Sequence, residues 1–191
     1  MNQPIQSACG GPSQGVVGRK PVLLFSREEL AAAIKRLAQE LDRDYRHRCP
    51  VVVGILKGAF VFLADLVRQM ETSLRSIEFL RLSSYGPGTV SSGRARVVMG
   101  LPAQAVAGQD VIIVEDIVDT GITTAAALRY LRRLRPASLK VCSLLDKPSR
   151  RRVAVPVDYL GFTVPDRFLV GYGIDLDQRY RQLPEIYYLE E

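Results

Sequence analysis

The chain has 191 residues, 47% of them hydrophobic and 24% charged, with a net charge of +6 and a sequence pI near 9.4. That length supports one domain with a sizeable core, and the composition excludes a disordered or fibrous protein. The positive balance admits nucleic acid or a small polyanion as partner, while no run approaches the roughly 18 apolar residues of a membrane span.

Residues 1–20, rich in Gly, Pro, Ser and Gln without hydrophobic periodicity, are expected to form a flexible N-terminal tail, leaving 21–191 as a single domain. The tail has no basic-then-apolar order of an export signal. It does contain "GPSQG", a G-x-S-x-G match, but no strand precedes it and no helix follows, so it is discarded as a nucleophile turn. In "SREELAAAIKRLAQEL", Ser26 and Glu29 form a capping box and Leu30, Ile34, Leu37 and Leu41 recur at helical spacing. "VVVGIL" predicts a strand buried on both faces, Lys57-Gly58 a turn, and "AFVFLADLVRQM" a helix. "SIEFLRLSSY" predicts a strand, "GPGTVSSGRAR" a polar loop long enough for a lid, and "VVM" the start of a return strand.

A strand at Val111 to Val114 runs into "EDIVDTGITT", with a helix from about Thr123 to Arg135. Along that helix Leu128, Leu131 and Leu134 share a face, leaving Arg129, Arg132, Arg133 and Arg135 to solvent. "SLKVCSLLDK", "VDYLGFTV" and "RFLVGYGI" are further strand candidates. Three widely spaced cysteines, Cys9, Cys49 and Cys142, form neither a disulfide framework nor a zinc site, so a reducing, cytoplasmic setting is expected.

Strands alternating with helices imply an α/β fold with a mainly parallel sheet and a ligand site beyond its carboxyl ends. Glu115 and Asp116 stand at that edge, able to accept from vicinal hydroxyls or to hold a hydrated cation. The turn after them offers free amides and hydroxyls to a phosphate, and Gly121 permits close approach or positive φ. It is neither a Walker loop nor a dinucleotide-binding turn, because both glycine patterns are absent. A phosphate beside sugar hydroxyls describes a ribose 5-phosphate. The plainer reading of the same residues is a helix cap from Asp119 or Thr120 beside solvated carboxylates.

The stretch "VIIVEDIVDTGITT" resembles the phosphoribosyl diphosphate-binding motif of type I phosphoribosyltransferases, and its Glu-Asp pair resembles the 6-oxopurine branch. "GILKGAFVFLADL", "LSSYGPGTVSSG", "LLDKP" and "LGFTVPDRFLVGYGIDLDQRYRQLPEI" agree in order, so the resemblance runs from about Val22 to the end. It implies that family's fold: a mainly parallel sheet flanked by helices, a small hood from the terminal segments and a mobile lid. It also implies transfer of a 5-phosphoribosyl group from phosphoribosyl diphosphate to N9 of hypoxanthine or guanine, in purine salvage.

Residue by residue, the resemblance assigns the ribose hydroxyls and Mg²⁺ to Glu115 and Asp116, and a general base near purine N7 to Asp119. Asp119, Thr120, Gly121, Ile122, Thr123 and Thr124 would enclose the 5-phosphate; Ile122 stands where some members carry a basic residue. Lys57, Gly58 and Arg181 match diphosphate contacts, and in the family the Lys57–Gly58 peptide can be cis. Asp175 matches a Mg²⁺ ligand. Lys147 would donate to the purine O6, Phe168 would stack on the ring and the Leu169 backbone would meet the exocyclic edge. From the residues alone, Lys147 reads as an exposed loop charge and Phe168 as core. Ser84 and Tyr85 match the lid motif. A homodimer or homotetramer is expected. The rivals are an RNA-binding pyrimidine-operon attenuator on the same fold and a xanthine-preferring transferase.

Overall fold

The computed structural model describes residues 20–84 and 95–190. The tail expected over 1–20 therefore lies outside the described residues except for Lys20, and of the lid pair only the backbone of Ser84 lies within them.

Helix α1 (Arg27–Asp44) starts as its sequence dictates: the Ser26 amide donates to Glu29 Oε2 at 2.8 Å and the Glu29 amide to Ser26 Oγ at 3.3 Å. Leu30, Ile34, Leu37 and Leu41 form its buried stripe. Strand β2 (Val51–Leu56) is buried nearly throughout, and helix α2 (Phe60–Gln69) turns Phe62, Leu63 and Leu66 inward. Strands β3 (Ser76–Ser84) and β4 (Ala95–Met99) pair antiparallel, as the return strand requires. A short helix α3 (Ala103–Val106) leads to β5 (Asp110–Val118), helix α4 (Ile122–Arg133), β6 (Ser138–Asp146) and β7 (Tyr159–Thr163).

Six strands form one sheet in the order β4-β3-β2-β5-β6-β7, parallel except for β4. Leu37, Leu41, Phe62 and Leu66 of α1 and α2 pack on one face with Val52, Ile112 and Cys142. Ala127, Leu128 and Leu131 of α4 pack on the other with Val51, Val53, Ile113 and Val141. From β2 the chain moves to one side through β3, then returns to place β5 on the opposite side of β2. Strand order reverses there, and in open α/β sheets the crevice beyond the strand ends at such a point takes the ligand.

A second, three-stranded antiparallel sheet joins β1 (Pro21–Phe25), β9 (Ile186–Leu189) and β8 (Leu169–Val170), so the first and last strands of the described residues pair with each other. Phe25 stacks on Phe162 of β7 with ring centroids 4.0 Å apart, tying that sheet to the larger one.

Several element bounds differ from expectation. Strand β5 runs on to Val118, because Glu115, Ile117 and Val118 continue the ladder with β6 through Ser143, Leu145 and Asp146. Helix α4 stops at Arg133 rather than Arg135, whose φ of 57° leaves the helical region. Of "RFLVGYGI" only two residues are strand; beyond them Gly171 and Tyr172 take positive φ and the chain turns. Among the described residues the cis peptide is Leu56–Lys57, one bond before the Lys57–Gly58 bond that the family resemblance allows to be cis.

Candidate active site

Two adjoining cavities open at the carboxyl ends of the central strands. The first, about 530 Å³, lies over β2 and β5 and is lined by Gly58, Glu115, Asp116, Thr120, Thr123 and Arg152 among others. The second, about 750 Å³, is lined by Lys147, Asp166, Phe168, Leu169, Asp175 and Leu189 among others. Ile117, Asp119 and Arg150 line both, so the carboxylate of Asp119 stands at their junction.

Glu115 and Asp116 diverge from neighbouring positions of one strand, as the period of two requires. Glu115 is buried toward α4, where the Thr124 hydroxyl donates to its Oε2 at 2.6 Å. Burial pushes its carboxyl up to about 8, with the Thr124 hydrogen bond pulling the other way. Asp116 turns toward the β2 end, where only a glycine fits: a Cβ on Gly58 would sit 1.9 Å from Asp116 Oδ2. Asp116 keeps some exposure, and its carboxyl is raised less, to about 6, by burial against the opposing amides of Asp116 and Ile117. The positive charge of Arg181 and the negative charge of Asp175 also act on it, in opposite senses.

The turn after β5 has Gly121 at φ 80°, and a Cβ there would approach the Val153 carbonyl oxygen to 2.3 Å. Both requirements demand glycine. Helix α4 follows directly, so the amides of its first turn lie at the same edge, that of Ile122 reaching Thr120 Oγ1 at 3.5 Å. Thr120 and Thr123 line the first cavity. Gly121, Ile122 and Thr124 are not among its lining residues, and the Thr124 hydroxyl is already committed to Glu115.

Asp119 Oδ1 is shielded from water and accepts no hydrogen bond among the described residues. Its nearest cation is Arg150, whose Nε is 3.5 Å away, while Arg150 Nη1 lies 3.7 Å from Asp166 Oδ2. A shielded acceptor of this kind awaits a donor.

Around the second cavity the plain reading of two residues is reversed. Lys147 is only 6% exposed, its ammonium donating to the Arg167 carbonyl at 2.8 Å, whereas Phe168 is 43% exposed at the cavity wall. Leu169 is buried in β8. A third cluster sits beside Asp116. Lys57 Nζ donates to Gln178 Oε1 at 2.9 Å, and Arg181 reaches Gln178 Oε1 at 3.2 Å, the Gly173 carbonyl at 2.7 Å and Asp175 at 2.7 Å.

Sequence reading passed over Gln178 and the run Arg150, Arg151 and Arg152. Arg151 pairs with Asp146 and reaches the Val118 carbonyl at 3.4 Å, and the amides of Arg152 and Val153 donate to the Thr120 carbonyl at 2.9 and 3.0 Å. The signal was positional: the run follows the end of β6, on the edge that β5 had already marked.

Residues 24–177 match the phosphoribosyl transferase domain model. The chain belongs to the phosphoribosyltransferase family. Within that family it is 45% identical over 175 residues to the hypoxanthine-guanine phosphoribosyltransferase of Aquifex aeolicus, covering 91% of this chain and 97% of the relative. It is 46% identical to a Listeria innocua protein named bifunctional protein TilS/HprT, where the match covers 86% of this chain but spans only 25% of that longer one. The crystal structure of a hypoxanthine phosphoribosyltransferase from Staphylococcus aureus superimposes with a TM-score of 0.83 at 38% identity, covering 88% of this chain and 91% of that one. These phosphoribosyltransferase relatives favour neither an RNA-binding attenuator nor a xanthine-preferring enzyme. Among the described residues no helix is long and apolar enough to cross a membrane.

Proposed function

We propose that this phosphoribosyltransferase moves the 5-phosphoribosyl group of phosphoribosyl diphosphate to N9 of hypoxanthine, and of guanine, in purine salvage. The observation that carries this reading is the pair of cavities joined at Asp119. A nucleoside monophosphate has the same plan: a flat base, a phosphate, and a sugar carbon between them.

In this reading the 5-phosphate rests on the turn Asp119 to Thr124, and the ribose hydroxyls donate to Glu115 and Asp116. The base lies along Phe168 with Lys147 donating to O6 and the Leu169 backbone at the exocyclic edge. An ammonium has donors and no acceptor, so a 6-oxo purine is favoured over a 6-amino one. The bond from C1 to the diphosphate oxygen breaks, its electron pair leaving with the diphosphate, and N9 bonds to C1 from the opposite side. Asp119 accepts the purine proton, and the carboxylates beside it stabilise positive charge developing on the sugar. Lys57, Gly58 and Arg181 receive the departing diphosphate.

Mg²⁺ fits the leaving-group side. Asp116 and Asp175 are hard oxygen donors, and no thiol or imidazole is among the residues lining either cavity. These two carboxylates would hold the ion, which when bound offsets charge on phosphate oxygens, whereas Glu115, which the resemblance also assigned to Mg²⁺, turns away toward α4 and the Thr124 hydroxyl. A cytoplasmic setting accords with the free thiols of Cys49 and Cys142, and a homo-oligomer with the exposed Phe60, Ile77 and Phe79.

The test is a panel: the protein with phosphoribosyl diphosphate, Mg²⁺ and, separately, hypoxanthine, guanine, xanthine, adenine and uracil, reading nucleotide formed. Hypoxanthine and guanine should react best. Preference for adenine or uracil, or no product from any base, would refute the reading.

A further inference from the structure

The first cavity presents an electrostatic imbalance. Its lining includes the carboxylates of Asp116 and Asp119 beside the buried carboxyl of Glu115, and only two cations among the described residues, Arg150 and Arg152. A phosphate dianion seated on the turn would meet that acidic surface, and backbone amides alone offer partial charges against it. Helix α4 brings no cation in its first turn, which reads Ile122, Thr123, Thr124 and Ala125. Arg150 is already engaged with Asp119 and Asp166, at 3.5 and 3.7 Å.

Arg152 differs from its neighbours. Arg151 is turned inward onto Asp146 and the Val118 carbonyl. Arg152 is exposed and lines the cavity, and its position is set by its own backbone: its amide donates to the Thr120 carbonyl at 2.9 Å, within the phosphate turn itself. The adjacent Val153 amide donates to the same carbonyl at 3.0 Å, and the Val153 carbonyl oxygen packs where a Cβ of Gly121 would otherwise be. The guanidinium is thus attached to the rim by a backbone clamp that does not use its side chain.

We propose that Arg152 is a binding residue for the 5-phosphate, supplying from the segment after β6 the positive charge that the phosphate turn lacks. The proposal rests on reading Asp119 to Thr124 as the phosphate turn. A guanidinium suits the role, since its planar fork can pair two donors with two phosphate oxygens.

The experiment measures binding of inosine monophosphate and of inosine, which lacks the phosphate, to the wild-type protein and to Arg152→Ala, Arg152→Lys and Thr123→Val. Because the backbone makes the clamp, Arg152→Ala should keep its fold, checked by an unchanged thermal midpoint. Its affinity for inosine monophosphate should fall about tenfold, the scale of one charge-assisted contact, with inosine binding unchanged and Arg152→Lys intermediate. Thr123→Val should weaken the monophosphate alone. Unchanged monophosphate affinity in Arg152→Ala, with Thr123→Val still weakened, would overturn the role of Arg152 and leave the turn intact. No effect in either variant would remove the turn as well. Equal loss of monophosphate and nucleoside in Arg152→Ala would place its effect away from the phosphate and overturn the proposal.

Discussion

The cavity over β2 and β5 draws most of its polar lining from one short stretch, Glu115 to Thr123, whereas the cavity beside Lys147 gathers residues from β5, the end of β6, the turn before β8 and the end of β9. The first uses the end of a strand and the start of a helix, so its chemistry is local. The second needs the two sheets to meet before Lys147, Phe168 and Leu189 become neighbours. In the proposed reading, local construction suits the common demand of holding a phosphate, and distributed construction allows the side proposed for the ring to change independently.

The sharpest way to break the comparison is at the junction. Asp119→Asn keeps the shape but removes the basic carboxylate, so turnover should fall by on the order of 100-fold while nucleotide affinity changes far less. Single-turnover rates and equilibrium binding of inosine monophosphate check this. Equal losses in both would make Asp119 a binding group only. On the distributed side, Lys147→Ala should raise KM for hypoxanthine about tenfold and erode discrimination against adenine, leaving KM for phosphoribosyl diphosphate unchanged. A matched rise in both constants would show that the two cavities are not separable.

A smaller effect belongs to the local side. Glu115 is raised from 4.5 to about 8 by burial, so the fold favours its neutral form. Its contribution to stability is fully present below 4.5 and is lost as pH rises through about 8. In buffer free of ligand and divalent cations, the thermal midpoint of Glu115→Gln should fall less than that of the wild-type protein across this range. Parallel pH profiles would show that burial leaves the group uncoupled from folding.

The same contrast explains what the sequence made legible. The capping box, the apolar stripe of α1, buried β2 and the positive φ of Gly121 each depend on neighbours in the chain, and each is found where its pattern points. Lys147 and Phe168 defied the rule that charge is exposed and aromatics are buried, because a backbone carbonyl from a distant turn satisfies the ammonium and a cavity wall exposes the ring. Only resemblance to a family placed them on a purine. Short β1 and β9 carry little periodic signal and are made strands by pairing with each other across the length of the chain. The arginines after Lys147 drew no separate reading because the carbonyls and carboxylates that sort them lie on β5, β6 and the turn after β5.

The most direct test of the central claim is a crystal structure with inosine monophosphate bound. The account predicts the phosphate over Thr120 to Thr123, the ring along Phe168 with O6 at Lys147, and the glycosidic carbon beside Asp119. Nucleotide density away from this junction, or lying reversed with its ring over the turn, would contradict it.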